Sequence, residues 1–381
     1  MANRTIRIVV DGATGRLGGT QHLRSLLAIR AEGGLPLRNG DRLMPEPILL
    51  GRNAEKLARM AAPDNLAWST DRDACLADTA TQIYFDATST AGRIGRAKAA
   101  VAAGKHIYLE KPIAETLDDA LALARAADRA GVKHGTVQDK IFLPGVHKLA
   151  KLRSSGFFGK ILSAQLDFGW WVFDGEHQPA QRPSWNYKKR EGGGLVLDMF
   201  PHWRYIVDRL IGDITGVSCR LATRTPQRRD EAGKLYDVDV EDTALAIFEV
   251  TGGILVHVTS SWCTRVKRDD MMTLQIDGTD GSAVCGLHHC YVQPLAATPK
   301  PQFNIETPRS ENFDDQWQEV PDTDGYRNPY RAGWELFLRH VGDDAPFPYT
   351  LLEGAKGVQL ADACYRSHAE KRWIELDQLT L

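Results

Sequence analysis

The stretch GGGLVLDMFPHW, Gly192 to Trp203, runs three consecutive glycines into a carboxylate, Asp198, and then an imidazole, His202, four residues on. Side chains at i and i+4 share a helix face, so both groups can meet one substrate. A histidine titrates near neutrality and suits removal of a hydroxyl proton. A third group stands in HIYLEKPIAET, where Glu110, Lys111 and Pro112 follow a short apolar run. A lysine before proline is biased toward extended geometry, and its ammonium can stabilise negative charge developing on an oxygen. His202, Lys111 and Asp198 are therefore the expected catalytic residues: proton acceptor, donor to the same oxygen, and orienting carboxylate. The sequence also allows plainer roles. Asp198 can cap a helix spanning about 198–211, with Pro201 in its first turn. His202 can be a packed helix histidine, and Lys111 a solvated lysine.

These residues need elements to aim them. The first third of the chain alternates apolar runs, IRIVV (6–10), ILL (48–50), IYFDA (83–87), HIYLE (106–110) and HGTVQ (134–138), with helical patterns. Such alternation predicts a doubly wound parallel sheet covered by helices on both faces. The helix TLDDALALARAADRAG should open on Thr116, with Asp119 at capping-box spacing, and close on Gly131. Residues 31–47, AEGGLPLRNGDRLMPEP, are read as a long connection without an assigned role.

VVDGATGRLGGTQ follows the first strand and carries Gly12, Gly15 and Gly18. Glycines in a turn between a buried strand and a helix let backbone N–H groups approach a pyrophosphate at the helix N-terminus. The spacing is one residue longer than the usual dinucleotide fingerprint, which predicts a bulge at Thr14. The second strand ends LLGRN, with a cation at Arg52 where an acid would bind the ribose 2′-hydroxyl, so NADP is favoured over NAD. Ligands sit outside the carboxyl ends of such strands. The expected cofactor contacts are Gly12, Thr14, Gly15, Arg16 and Leu17, then Arg52 and Asn53, Thr88 and Ser89, and Glu110, Lys111 and Pro112.

Beyond about residue 155 the runs lengthen and become β-branched or aromatic. TALAIFEV and ILVHVTSSW are joined by TGG, and TLQID and SAVCGL by GTDG. Both pairs read as hairpins of an antiparallel sheet. The fold class is α/β: an N-terminal dinucleotide-binding sheet (residues 1–140) followed by an α+β domain (141–381) with a large, mostly antiparallel open sheet. Trp170, Trp171, Phe173, Trp185 and Tyr187 precede the glycine run; sugars stack their C–H faces on such rings. Trp185, Tyr187 and Phe200 are the expected substrate contacts.

The 381 residues carry a net charge of −2, which gives no electrostatic reason for a nucleic-acid or anionic-membrane partner. TRTPQRRDEAGK (223–234) mixes both signs and reads as a solvated loop. No apolar run reaches the roughly 18–20 residues of a membrane span. Six scattered cysteines without a Cys-x-x-Cys fit reduced thiols and a cytoplasmic location. In CGLHHC (285–290) a strand would point alternate residues to opposite faces, so no metal site is expected.

The blocks GATGRLGG, AGKHIYLEKPIAETLDDA, SGFFGKI, PSW, GGGLVLDMFPH, IDGTDGS and GAKGVQLADACYRSHAEKRWIEL occur in the order seen in one group of enzymes. Through them the chain resembles the glucose–fructose oxidoreductase / inositol dehydrogenase / MocA family over nearly its full length. The resemblance implies a Rossmann domain, an open C-terminal sheet that builds homodimers or homotetramers, and often a cis Lys111–Pro112 bond. It also implies hydride transfer between nicotinamide and a carbinol carbon of a sugar, polyol or related carbohydrate, with Lys111, Asp198 and His202 matching the family's motif positions. Four positions depart. Phe200 stands for a glycine, Tyr205 for an acid, Arg93 for a histidine, and QDKIF lacks a usual arginine or tyrosine. Other readings are a catalytically silent dinucleotide-binding regulator, or a lyase or hydrolase that uses bound cofactor for transient oxidation. Dihydrodipicolinate reductase shares a similar glycine turn but is much shorter.

Overall fold

The computed structural model describes residues 2–268, 270–300, 305–306, 312–323, 325 and 328–381. The first unit is built from β1 (Asn3–Asp11), α1 (Arg24–Ala31), β2 (Leu35–Pro36), β3 (Arg42–Leu50), α2 (Ala54–Ala61), β4 (Ala67–Ser69), α3 (Arg72–Ala77), β5 (Thr81–Asp86), α4 (Arg93–Ala102), β6 (His106–Leu109), α5 (Leu117–Arg129) and β7 (His134–Thr136). Its sheet runs β2-β3-β1-β5-β6-β7, with β4 also on β3. Every pairing is parallel except that of β2. The chain leaves β1 in one direction and returns to β5 in the other, so the crevice between these two strand ends is the switch point where such sheets bind ligands. Thr116 accepts from the Asp119 N–H at the start of α5, as its spacing predicts.

The 31–47 segment is not a loop. It holds the β2 hairpin strand and the first half of β3. Pro45 and Pro47 obscured the strand in the sequence, yet both are tolerated. β3 pairs with β1 along its whole length, and its other edge is occupied only at 42–43 by β2 and at 48–50 by β4. The prolines fall in the open gap, where no ladder N–H is needed.

The second unit comprises α6 (Pro144–Ser154), β8 (Ile161–Gly169), α7 (Leu195–Leu210), β9 (Ile214–Ala222), β10 (Gln227–Arg229), β11 (Leu235–Asp237), β12 (Thr243–Val250), β13 (Ile254–Ser261), β14 (Met272–Gly278), β15 (Gly281–Cys285), β16 (Cys290–Pro294), β17 (Gln318–Glu319), α8 (Pro329–Asp343), α9 (Leu351–Glu370) and β18 (Ile374–Glu375). Its large sheet has the order β17-β16-β15-β14-β8-β13-β12-β9-β18, antiparallel but for β8 on β13. One face packs on α7 and α9. On the other, Leu245 and Ile247 of β12 and Leu255 of β13 lie exposed. The 223–234 segment folds into the β10–β11 hairpin, and its Arg228 is fully buried, which corrects the expectation of a solvated loop.

The two units interlock. One face of the first sheet, with Phe85 and Tyr108, is covered by Trp334 and Phe337 of α8. The opposite face is covered by α4 and α5 and by Leu351, Ala355 and Val358 of α9. Both α8 and α9 come from the last 53 residues of the sequence, 329–381.

Candidate active site

The glycine turn leaves β1 at Gly12, whose φ of +83° suits glycine; a Cβ there would stand 2.8–2.9 Å from the Ala87 and Thr88 backbone. Gly15 N–H closes the turn onto the Gly12 carbonyl at 2.8 Å. Gly15 and Arg16 are exposed, while Thr14 and Leu17 are half-buried. Beyond the turn that holds Thr14, Gly18–Leu23 form a π-helical turn ahead of α1. Beside this turn, Asp11, Leu50, Gly51, Arg52, Thr70, Asp71, Arg72 and Asp73 line a cleft of about 330 Å³. Asp11 is buried, and its carboxylate is held by Arg72 (2.8 Å) and by the Tyr84 hydroxyl (2.6 Å). Asn53 caps α2 by accepting from Lys56 N–H. Across the crevice, Thr88 gives its N–H and hydroxyl to Asp86 (2.8 and 2.6 Å), and the Ser89 side is exposed. A glycine turn open to solvent at the switch point, with this cleft at the β3 end, fits a dinucleotide.

At the end of β6 the Lys111–Pro112 bond is cis. Glu110 was expected to touch cofactor, but its side chain is 4% exposed and turned inward. One oxygen accepts from His22 Nε2 (2.8 Å), the other from the Lys111 N–H (3.0 Å). Trp334 Nε1 donates to His22 Nδ1 at 3.1 Å, so the His22 proton lies on Nε2. Glu110 is thus scaffold rather than ligand. Arg93, 2% exposed, braces the same corner by donating to the Glu110 and Thr88 carbonyls (2.9 and 2.5 Å) and to that of Pro112.

α7 begins three residues earlier than expected, at Leu195. Its cap comes from far along the chain: Glu241 takes the Leu195 N–H on its carbonyl (3.1 Å) and the Val196 N–H on its carboxylate (2.7 Å). Asp198 is therefore not a cap but sits inside the helix, and Pro201 lies well past the first turn. Residues 198 and 202 face the β6 corner. Phe200 is two positions from each, hence on the far side of the helix, where it is fully buried against Phe248. Its expected substrate contact is corrected on that ground.

Lys111 Nζ meets Asp198 Oδ1 at 2.6 Å and the Asp198 carbonyl at 2.8 Å. The other carboxylate oxygen takes an ion pair from Arg182, which the sequence reading missed. Burial opposes ionisation of Asp198, but the two cations outweigh it and hold the carboxyl well below the usual carboxylate range. Two cations around one anion leave a net positive charge where an alkoxide would form. Arg182 lies over the Trp262 ring at 4.1 Å, and Trp262 contacts Tyr187 edge-on. Tyr187 is 1% exposed, with Arg228 on its other side. It is thus a wall behind Arg182 rather than an open substrate contact, a second correction. Trp185 is half-buried in the short helical turn Ser184–Tyr187.

His202 is buried, and burial together with the charges of Lys140 and Lys111 keeps it well below the ordinary histidine value. Its Nδ1 lies 2.7 Å from the Tyr205 hydroxyl and 3.6 Å from Asp139 Oδ1. Cys285 and Cys290 are register partners across the β15–β16 hairpin. Among the described residues no cluster of three or more His, Cys, Asp or Glu could hold a metal.

Comparison with known proteins gives the family and the fold. Residues 6–137 match the oxidoreductase family with an NAD-binding Rossmann fold, and residues 146–284 match the GFO/IDH/MocA C-terminal domain. D-xylose dehydrogenase of Paenarthrobacter nicotinovorans is 47% identical over 382 residues, covering 99% of this chain and 98% of that protein. Levoglucosan dehydrogenase of Pseudarthrobacter phenanthrenivorans is 23% identical, covering 74% of this chain and 76% of that protein. A solved structure of levoglucosan dehydrogenase in complex with NADH and levoglucosan shares the fold, with a TM-score of 0.81 at 20% identity over 99% of this chain and 100% of that chain.

Proposed function

The chain belongs to the GFO/IDH/MocA family of NAD(P)-dependent oxidoreductases acting on CH–OH groups, and from that premise we propose that it oxidises a free sugar, with D-xylose the first candidate. The observation that carries this reading is the meeting of Lys111, from the first unit, with Arg182 and with Asp198, which lies on the helix that also bears His202. The full-length similarity to a D-xylose dehydrogenase supports the choice of sugar.

When bound, the nicotinamide ring supplies the hydride acceptor. Gly12 to Leu17 would hold its pyrophosphate at the helix start, and Lys111 and Pro112 would border the reacting end. His202, neutral, accepts the carbinol proton. The Lys111 ammonium donates to the same oxygen and stabilises charge that grows as the C–H bond breaks. Asp198 fixes Lys111 from two sides and, with Arg182, orients the neighbouring hydroxyls. NADP is favoured over NAD because Arg52 opens onto the cleft at the end of β3 without a carboxylate beside it on that strand. A homodimer through the exposed Leu245, Ile247 and Leu255 face, and a cytoplasmic location for its six free cysteines, complete the proposal.

The test is turnover of D-xylose with NADP⁺. Lys111→Ala and His202→Ala should each lower kcat by about 10²–10⁴-fold, with NADPH affinity nearly unchanged. Near-normal kcat in both variants would refute the assignment of roles, and no turnover of D-xylose by the wild type would refute the substrate.

A further inference from the structure

We infer that Asp139, acting through the Tyr205 hydroxyl, positions His202 by holding its proton on Nδ1 and leaving the Nε2 lone pair for the substrate. The inference rests on His202 being the proton acceptor, and it follows from a count of protons at one buried oxygen. The Tyr205 oxygen accepts the Lys140 backbone N–H at 3.1 Å. It has one proton to give and two neighbours that can take it: His202 Nδ1 at 2.7 Å and Asp139 Oδ1 at 3.4 Å. Were the proton given to His202, the imidazole would carry its own on Nε2 and could not act as a base. A carboxylate is the stronger acceptor. With the Tyr205 proton on Asp139, the remaining tyrosine lone pair receives His202 Nδ1–H, and every group at this junction is satisfied.

The same geometry places an anion where it is needed after proton uptake. The charged and titratable groups around His202 are Lys111 beyond β6, Asp139 and Lys140 beyond β7, Asp198 and Tyr205 on α7, and Tyr330 on α8. Both lysines oppose an imidazolium. Asp139 Oδ1, 3.6 Å from Nδ1, is the carboxylate on that side of the ring and offsets them. Asp139 is itself held: Lys140 Nζ stands 3.3 Å from its second oxygen, Tyr330 donates to it, and it is 7% exposed. The orienting acid therefore reaches the histidine from another element, through a phenol on the histidine's own helix. The substrate hydroxyl proton arrives on Nε2, and the two protons behind it stay in place. The proton taken up by His202 leaves again from Nε2 before the next turnover.

The experiment uses the full chain with Tyr205→Phe and Asp139→Asn, and His202→Asn to identify the His202 signals. In ¹⁵N-labelled protein, the imidazole nitrogen shifts should report the Nδ1–H form in the wild type and loss of that preference in both relay variants. In turnover of D-xylose with NADP⁺, each relay variant should lose about 10- to 100-fold in kcat with little change in KM. In Asp139→Asn the acid limb should also move to lower pH, because the imidazolium has lost its anion, whereas Tyr205→Phe keeps Asp139 and should change the tautomer without that shift. A merely structural role would move neither tautomer nor limb. An Nε2–H form in the wild type, or a tautomer unchanged in both variants, overturns the inference. Failure of the His202 reading itself is distinguishable, since His202→Asn would then turn over normally.

Discussion

The cleft at the end of β3 allows a prediction with a sign and a size. Arg52→Ala removes a guanidinium that makes no hydrogen bond or ion pair among the described residues, so its loss breaks nothing in the free protein. Against a 2′-phosphate it would supply a charge-assisted hydrogen bond, worth about 1.5–3 kcal/mol. Arg52 is exposed, which places the effect at the lower end. At about 1.4 kcal/mol per decade, the Kd for NADP⁺ should rise about tenfold while that for NAD⁺ moves less than about twofold. Calorimetric titration of both cofactors, at low and at high ionic strength, is the assay. The NADP⁺ loss should shrink with salt, since the pair is solvent-screened. Arg72→Ala is the contrast. Arg72 neutralises the buried Asp11, so its removal leaves that carboxylate with Tyr84 alone and should weaken both cofactors and lower Tm. Equal losses for NAD⁺ and NADP⁺ on Arg52→Ala would refute the reasoning.

Two further outcomes follow from burial. His202 is held below its ordinary value, so the unfolded chain takes up a proton where the folded one does not. Stability should therefore fall as pH drops below about 6.5, and His202→Asn should flatten the descent of Tm; an unchanged slope would contradict it. Ile247→Glu, in the centre of the exposed sheet face, should convert a dimer to monomer in light scattering while leaving the fold intact by circular dichroism. A wild-type protein that is already monomeric would remove the proposed interface.

The sequence made some positions legible and hid others for physical reasons. Lys111 could be placed because a strand end in a parallel sheet points at the ligand crevice, and Asp198 with His202 because four residues make one helical turn. The same periodicity assigns Phe200 to the opposite face, yet family likeness pulled it toward the substrate. The start of α7 was hidden because its cap, Glu241, lies 46 residues after Leu195, so no local signal marks the boundary. Arg182, Asp139 and His22 carry no pattern of their own: the first sits in an irregular segment, the second opens the 3-10 turn Asp139–Phe142 and the third lies in a π turn. Only their neighbours in space, Asp198, Tyr205 and Glu110, give them a role. The strand in residues 42–47 was hidden by prolines whose missing N–H groups fall on an open edge.

The way Trp334 and Phe337 close over Phe85 and Tyr108 also bears on how the protein is made. Synthesis is vectorial, and domains ordinarily fold as they emerge. Here α1 and α2 cover part of the Phe85 face of the β1–β7 sheet as soon as it is made, but Trp334 and Phe337, which close over Phe85 and Tyr108, come only in the last 53 residues. Each such aromatic is worth about 1.5–3 kcal/mol when buried. The nucleotide-binding half therefore lacks its full core until translation is nearly complete. The Lys111 corner, which leans on Trp334 through His22 and Glu110, is completed last.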